Sequence, residues 1–582
     1  MKIIKLILTL NYLLIASSIL SFSVFEPHIV IDASKSVEVT YKQISNLTAF
    51  GKAFGYVRYF YPSNLESIDW EKICINGITL LNSDDKQDIT AKLQSIFQHI
   101  APEVSFDSLE KINIKYIAKR KKQLVFHEYL GLNTGTKYSN FKNYLRSIYV
   151  DAGQAYPVNF LSSNIAQDIH INMPLAAVPV KISPVIDNLI TFSQDKNNSI
   201  KTTWLCKTII TWNIIQHFYP YRDDIMEWDK MLSQTISSIL SASSNEACKE
   251  AYMKIIVALS DGHAAYLDKE SQFANFCLPI ELIMIGNSLF VKDTILGSAL
   301  LQPGDEIKSI NGNNVAKLKE EADAANSGGE GFKKQLFCLT LISGNKSDTA
   351  HIVYRRNNQE KLVHLTYEFT PSKYTQLMVS KRPDSVYFDN RSIAYFDLSK
   401  WEYKGLKKMI PSINKLKGVV FDLSGYPTAD IDYLLEHLIT TKDTASHWTS
   451  VPLIKMPDFK LVDFRTEGWQ LSPVTPSIKT KTIFLCDART YSFAESILGF
   501  IKDYKLGIII GEASAGANGD MNYFSFTDKS SFSWSAVKVT TPTGKLYKSK
   551  GIDPDILIGH TSTSIANGID LPLVKALEEI RK

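Results

Sequence analysis

Ser492 and His263 are the residues whose types and positions best suit hydrolytic chemistry. Ser492 lies in KTIFLCDARTYSFAESILGFIKD, residues 481–503. The apolar run from Thr482 to Cys486 predicts a buried strand, and SFAESILGFIKD repeats apolar residues at helical spacing. Ser492 therefore stands where a strand gives way to a helix. A hydroxyl there sits at the positive end of the helix, beside N–H groups without helical partners, a setting that suits a nucleophile. The same residues also fit a capping box, Ser492 with Glu495 three positions on, which needs no catalysis. His263 lies in SDGHAAYLD, where Asp261-Gly262 stops the helical pattern of Glu246–Leu259 and an extended segment follows. A histidine after such a turn is either structural or free to project into a cleft. Both residues keep both readings at this point.

The elements that must position them alternate. From Pro371 to Lys582 the order is SIAYFDL, the helix KGLKKMIPSINKL, GVVFDLSG, the helix ADIDYLLEHLIT, KTIFLC, the Ser492 helix and GIIIGEASAG. Such alternation predicts a largely parallel sheet covered by helices, with the site at the carboxyl ends of the strands. Gly425 in FDLSGYP and Ser492 both follow strands, so they can share that edge. Upstream, Leu278–Tyr367 turns to short strands. LLQPGDEIKSINGNNVAKLKEEADAA holds a Pro-Gly-Asp turn, a strand, an Asn-Gly turn and a helix, in the order of a PDZ domain, whose groove takes an extended peptide by strand addition. An ordinary hairpin before a helix is the plainer alternative. Further upstream an internal repeat is visible. Leu47, Phe60, Tyr61, Pro62, Trp70 and Lys72 recur at one offset as Leu205, Phe218, Tyr219, Pro220, Trp228 and Lys230. Each copy reads as a helix, a Tyr-Pro break and a second helix, with the aromatics in its core. The expected organisation is 1–25 signal peptide, 26–111 first helical repeat, 112–200 β-rich insertion, 201–277 second repeat with the SDGH motif, 278–370 PDZ-like module and 371–582 α/β domain.

Whole-chain numbers exclude several classes. The 582 residues are too many for one core, and 45% hydrophobic with 21% charged residues is a globular composition. A net charge of +4 without a long basic run argues against nucleic acid as a partner. Lys2 and Lys5 precede an apolar stretch, Leu6–Leu20, then Ser21 and Ser23, which is the pattern of an export signal. Removing both lysines from the 64 basic residues leaves 62 against 60 acidic ones. A retained membrane anchor is the alternative, disfavoured by Asn11 and the short apolar length. The protein is expected to be periplasmic or extracellular. Its six cysteines are scattered in apolar surroundings and read as buried thiols rather than a disulfide framework. Without CxxC or HExxH spacing, neither a metal nor a cofactor is expected.

Four signatures, in order, resemble the C-terminal processing peptidases, the family of tail-specific proteases and the tricorn core: SDGHAAYL, PGDEIKSING, GVVFDLSGYP, and RTYSFAES…GEASAGANG…GIDPDI. The likeness covers most of residues 200–560. It implies a ClpP/crotonase-like α/β catalytic domain, with Ser492 as nucleophile and the amides of Phe493 and Gly425 as oxyanion donors. The chain departs from the family's lysine branch, because Ala517 stands at the position of the general-base lysine. In the tricorn-like branch the base is a histidine, which His263 matches. That branch has a serine before the histidine, here Gly262, and a glutamate where Lys548 stands; the family's DLRG arginine is Ser424. Lys548 and Lys550 are the rival bases; what orients His263 is not fixed, since Asp261 is near it in sequence but equally suits a turn cap. The resemblance implies an exported serine endopeptidase acting on unfolded or tail-presented polypeptides, with peptide C-termini taken at the PDZ-like groove. A non-catalytic peptide-binding relative is the alternative from another class, and an esterase using Ser514 in EASAG is a weaker one. Oligomeric state is not legible.

Overall fold

The computed structural model describes residues 40–62, 68–82, 88–107, 124–129, 145–150, 160–177, 200–268, 276–295, 300–377, 382–445 and 448–582. The expected signal peptide, 1–25, and much of the 112–200 insertion lie outside them.

Helix α1 (Tyr41–Phe60) begins where Thr40 accepts from the Gln43 amide, and α2 (Trp70–Leu81) where Asp69 accepts from that of Lys72. Helix α3 (Ile200–Phe218) ends before Tyr219-Pro220; α4 (Trp228–Ser241) and α5 (Asn245–Ala258) follow. The repeated residues occupy matching places. Phe60 and Phe218 each close a helix, and Trp70 and Trp228 each open one. The two phenylalanine rings stack with centroids 6.0 Å apart. Helix α3 is buried nearly all round because α1, α2, α4 and α5 all pack against it. Close approach of α1 to α3 needs Gly55, since a Cβ there would fall 1.7 Å from Asn213 Oδ1.

Helix α5 stops earlier than Asp261-Gly262 predicts. It ends at Ala258, and Ser260 takes a left-handed φ of 45°. Strand β1 (Ala265–Leu267) follows. Strands β2 (Ile280–Ile285), β3 (Ser288–Thr294) and β4 (Glu306–Ile310), helices α6 (Val315–Ala325) and α7 (Glu330–Leu341), and strands β5 (Thr349–Arg356) and β6 (Gln359–Thr366) form a separate antiparallel unit. Its sheet runs β6-β5-β4-β3-β2, with its own core including Leu289, Ile307, Phe337 and Ile352. The terminal strand β2 lies against α7.

The last part contains β7 (Ser385–Phe388), β8 (Ile393–Asp397), α8 (Tyr403–Ile413), β9 (Gly418–Asp422), β10 (Lys481–Cys486), α9 (Phe493–Tyr504), β11 (Ile508–Gly511), β12 (Met521–Ser525), β13 (Ser531–Ser535), β14 (Ile556–Leu557) and α10 (Leu571–Arg581). The sheet order is β7-β8-β9-β10-β11-β14, parallel except for β7. Helices α8 and α9 cover one face and α10 the other, which is why β8 and β9 are apolar without alternation. The stretch ADIDYLLEHLIT, expected as an α-helix, forms only a 3₁₀ segment, Ile431–His437, entered through Asp430 at φ 70°. Two sheets run across the expected boundaries. Strand β13 pairs with β1, and strand 449–454 pairs with strand 124–129 of the insertion. All six cysteines are buried thiols.

Candidate active site

Ser492 opens α9 directly beyond β10, at the carboxyl end of the sheet. Its backbone has φ 53° and ψ −122°, outside both helical wells, a conformation that costs on the order of 1–3 kcal/mol for a residue with a Cβ. Its N–H donates to Ala517 O at 2.7 Å. The capping-box alternative fails here. The Ser492 side chain makes no cap hydrogen bond, and Glu495 turns away into the protein. Glu495 accepts from Ser514 Oγ at 2.5 Å and from the amides of Gly516 at 2.6 Å and Ala517 at 2.9 Å. Burial pushes its carboxyl up to about 7, with those donors pulling the other way. Ser514 is buried and also accepts from the Ile552 amide at 2.7 Å. An enclosed hydroxyl held in this way is structural, which removes the esterase alternative.

Gly425 follows β9, the neighbour of β10, so both expected oxyanion amides stand at the same edge of the sheet. The turn before Gly425 is shaped by Asp422, which accepts from the Ser424 amide at 2.8 Å, and Thr490 Oγ1 ties the two loops by donating to Leu423 O at 2.9 Å. Among the described residues neither the Gly425 nor the Phe493 amide donates to a backbone carbonyl. Tyr426 brings its hydroxyl against the Ser492 side chain and the Phe493 amide, its ring 5.3 Å from that of Tyr491. Arg382 stands at Ser424, donating to Ser424 Oγ at 3.3 Å, to Asp422 at 2.8 Å and to Asp570 at 2.8 Å. A guanidinium from another segment thus lies against Ser424. Burial works to raise the Asp422 carboxyl, but Arg382 and Tyr395 hold it down at about 2.

His263 lies on the turn between α5 and β1 and is 4% exposed. Its loop abuts that of Ser492 through Ala517, because a Cβ on Gly262 would come within 2.4 Å of Ala517 Cβ. This explains why the serine of the tricorn-like pattern is absent at 262. His263 Nδ1 lies 3.0 Å from Ser535 Oγ, which is 2.8 Å from Asp261 Oδ1. Asp261 also accepts from the His263 amide at 2.9 Å, the Ser535 amide at 2.9 Å and the Tyr219 hydroxyl at 3.0 Å. Burial lowers the His263 pKa, opposed by the charges of Asp261 and Asp520. For Asp261, burial works upward, but His263, Lys548 and the two amides outweigh it and hold the carboxyl low. No hydrogen bond joins His263 to Ser492. Ser535 gives no signal in the sequence beyond the alternation of SFSWS, and Asp261 reads either as a neighbour of His263 or as the cap of a turn.

The rival lysines are placed otherwise. Lys548 Nζ donates to Leu259 O at 2.8 Å and lies 4.6 Å and 5.0 Å from the ring centroids of Tyr221 and Tyr219. Lys550 is exposed.

Residues 392–558 match the model of peptidase family S41, which supports a serine-type peptidase of the C-terminal processing kind. Mature CPAF complexed with lactacystin is similar at 12% identity, over 66% of this chain and 98% of that one, with a TM-score of 0.50. A second structure of mature CPAF is similar at 13% identity, over 65% and 96%, also with a TM-score of 0.50. The photosystem II D1 C-terminal processing protease is similar at 15% identity, over 60% and 92%, with a TM-score of 0.38. No curated protein matches the chain.

Proposed function

We propose that the chain is an exported endopeptidase in which Ser492 is the nucleophile and His263 the general base. Ser492 Oγ forms a bond to the peptide carbonyl carbon as its proton passes to His263, and the C=O π pair moves onto oxygen. The Phe493 and Gly425 amides receive that oxyanion, a contribution of about 2.7–4 kcal/mol per donor in comparable hydrolases. Collapse breaks the C–N bond, and His263 returns its proton to the leaving amine. Water then takes the place of Ser492 Oγ and releases the acyl group.

The observation that carries this reading is the backbone of Ser492, strained and uncapped at a helix start. Strain of this kind persists where function needs the side chain placed there. The test is hydrolysis of a permanently unfolded protein. Ser492→Ala and His263→Ala should each abolish most of the rate with little change in thermal midpoint. Full activity in either variant would overturn the assignment.

The unit spanning β2 to β6 is proposed as a PDZ-like module that takes polypeptide C-termini between β2 and α7, because a terminal strand beside a helix is open to strand addition. The aromatic repeat around α1 to α4 is proposed as a duplicated helical pair. Export rests on residues 1–25 alone. Amino-terminal sequencing of the extracytoplasmic protein would show cleavage near Ser21–Ser23, whereas an intact Met1 would favour the membrane-anchored form.

One observation favours the second reading, a peptide-binding relative without activity: the Tyr426 hydroxyl sits against Ser492 and the Phe493 amide. A substrate carbonyl must displace it. Tyr426→Phe should therefore raise kcat/KM several-fold if the hydroxyl only obstructs. Peptide binding without hydrolysis in both proteins would favour the non-catalytic reading.

A further inference from the structure

We infer that Asp261 and Ser535 are the positioning residues of His263, fixing its tautomer so that Nε2 is the basic nitrogen. The inference rests on His263 being the base and supplies the orienting group that its place in the chain leaves open.

The direction of each hydrogen bond follows from donor counting. Asp261 is surrounded by donors: the His263 and Ser535 amides, the Tyr219 hydroxyl and Ser535 Oγ. A carboxylate with four donors has no proton of its own to give. The single Ser535 proton therefore points to Asp261 Oδ1, 2.8 Å away. Toward His263 the same hydroxyl can only accept, so Nδ1, at 3.0 Å, carries the hydrogen. In the neutral ring Nε2 is then the unprotonated nitrogen, the form needed to accept a proton. When it does, the imidazolium lies 4.0 Å from Asp261 Oδ1, close enough for the buried carboxylate to stabilise it.

The fold builds this arrangement from separate elements. Asp261 is on the turn after α5, with its amide donating to Ser327 Oγ at 2.9 Å. Ser535 ends β13, which pairs with β1 so that Ser533 lies opposite Ala265 and its Oγ donates to His263 O at 2.7 Å. All three members are nearly inaccessible: Asp261 1%, Ser535 2% and His263 4% exposed. The charged groups around them are Asp520, which acts on His263, and Lys548, which acts on Asp261. Lys548 is held at Leu259 O and over the Tyr219 and Tyr221 rings.

Two measurements on the full chain test this. In ¹⁵N-histidine-labelled protein above the His263 pKa, the His263 resonances, assigned by their loss in His263→Gln, should report Nδ1–H. In Ser535→Ala they should move toward the Nε2–H form that an unconstrained imidazole favours. In hydrolysis, Ser535→Ala should lower kcat on the order of 10²-fold or more and Asp261→Asn 10³–10⁴-fold, with KM little changed, as when the orienting group of a catalytic histidine is removed. Ser535→Thr, which keeps the hydroxyl, should recover part of the rate. An Nε2–H signal in the native protein, or native kcat in Ser535→Ala, would overturn the positioning role. Hydrolysis persisting in Ser492→Ala, with Nδ1–H still seen at His263, would instead sink the Ser492 assignment and leave the positioning role supported.

Discussion

Replacing Gly262 by alanine should damage the enzyme through Ala517 rather than through His263 itself. The added Cβ would stand 2.4 Å from Ala517 Cβ and 3.4 Å from the Phe332 ring. Carbon atoms rest at about 3.5–4.0 Å, so Ala517 must yield by roughly 1 Å. Overpacking of this size costs about 1–3 kcal/mol. Ala517 has little freedom to move, because its N–H donates to Glu495 at 2.9 Å and its carbonyl accepts from the Ser492 amide at 2.7 Å. The displacement therefore reaches Ser492, the proposed nucleophile, where a misplacement of about 1 Å costs on the order of 10² in rate. Ala517→Gly removes the obstructing methyl, at a cost of about 0.8 kcal/mol for lost burial and roughly 0.5–1 kcal/mol for glycine entropy. The double variant should be about as stable as Gly262→Ala and should recover activity, with a coupling of about 1–2 kcal/mol between the sites. Urea denaturation and hydrolysis of an unfolded protein measure both quantities. Additive costs, or a Gly262→Ala enzyme with native stability and rate, would refute the reasoning.

Ser492→Gly should abolish hydrolysis yet raise stability by about 1 kcal/mol, since relief of about 1–3 kcal/mol of backbone strain exceeds glycine's entropy cost; a fall in the urea midpoint would contradict the strain. The pH dependence of kcat/KM has a defined sign. A base must be neutral, and burial lowers the His263 pKa against the opposing charges of Asp261 and Asp520. The acid limb should therefore lie below the ordinary histidine value of about 6.5, leaving the rate level at neutral pH. A rate still climbing well above neutrality would point to a lysine base.

Local signals in the chain predict the parallel sheet well, because its strands are short apolar runs between turn residues and its helices carry a clear period. SIAYFDL, GVVFDLSG and KTIFLC all lie side by side as β8, β9 and β10. ADIDYLLEHLIT has the same apolar spacing but forms a 3₁₀ segment entered through Asp430 at φ 70°. Ser492 and Glu495 had the spacing of a capping box. Tertiary donors on Ser514, Gly516 and Ala517 capture the glutamate instead. What the sequence hides is long-range. Ser535 meets His263 across 272 positions, and Arg382 meets Ser424 across 42. No local pattern marks either pair, because each partner is chosen by strand pairing or by loop packing. Gly262 and Ala517, which looked like separate departures from the family pattern, are a single packing solution.

Covalent labelling tests the central claim most directly. A fluorophosphonate probe reports which serine is activated, and peptide mapping locates the adduct. An adduct is expected on Ser492, lost in Ser492→Ala and strongly slowed in His263→Ala, with Ser514 and Ser535 unmodified. An adduct on another serine, or equal labelling of Ser492 with and without His263, would contradict it.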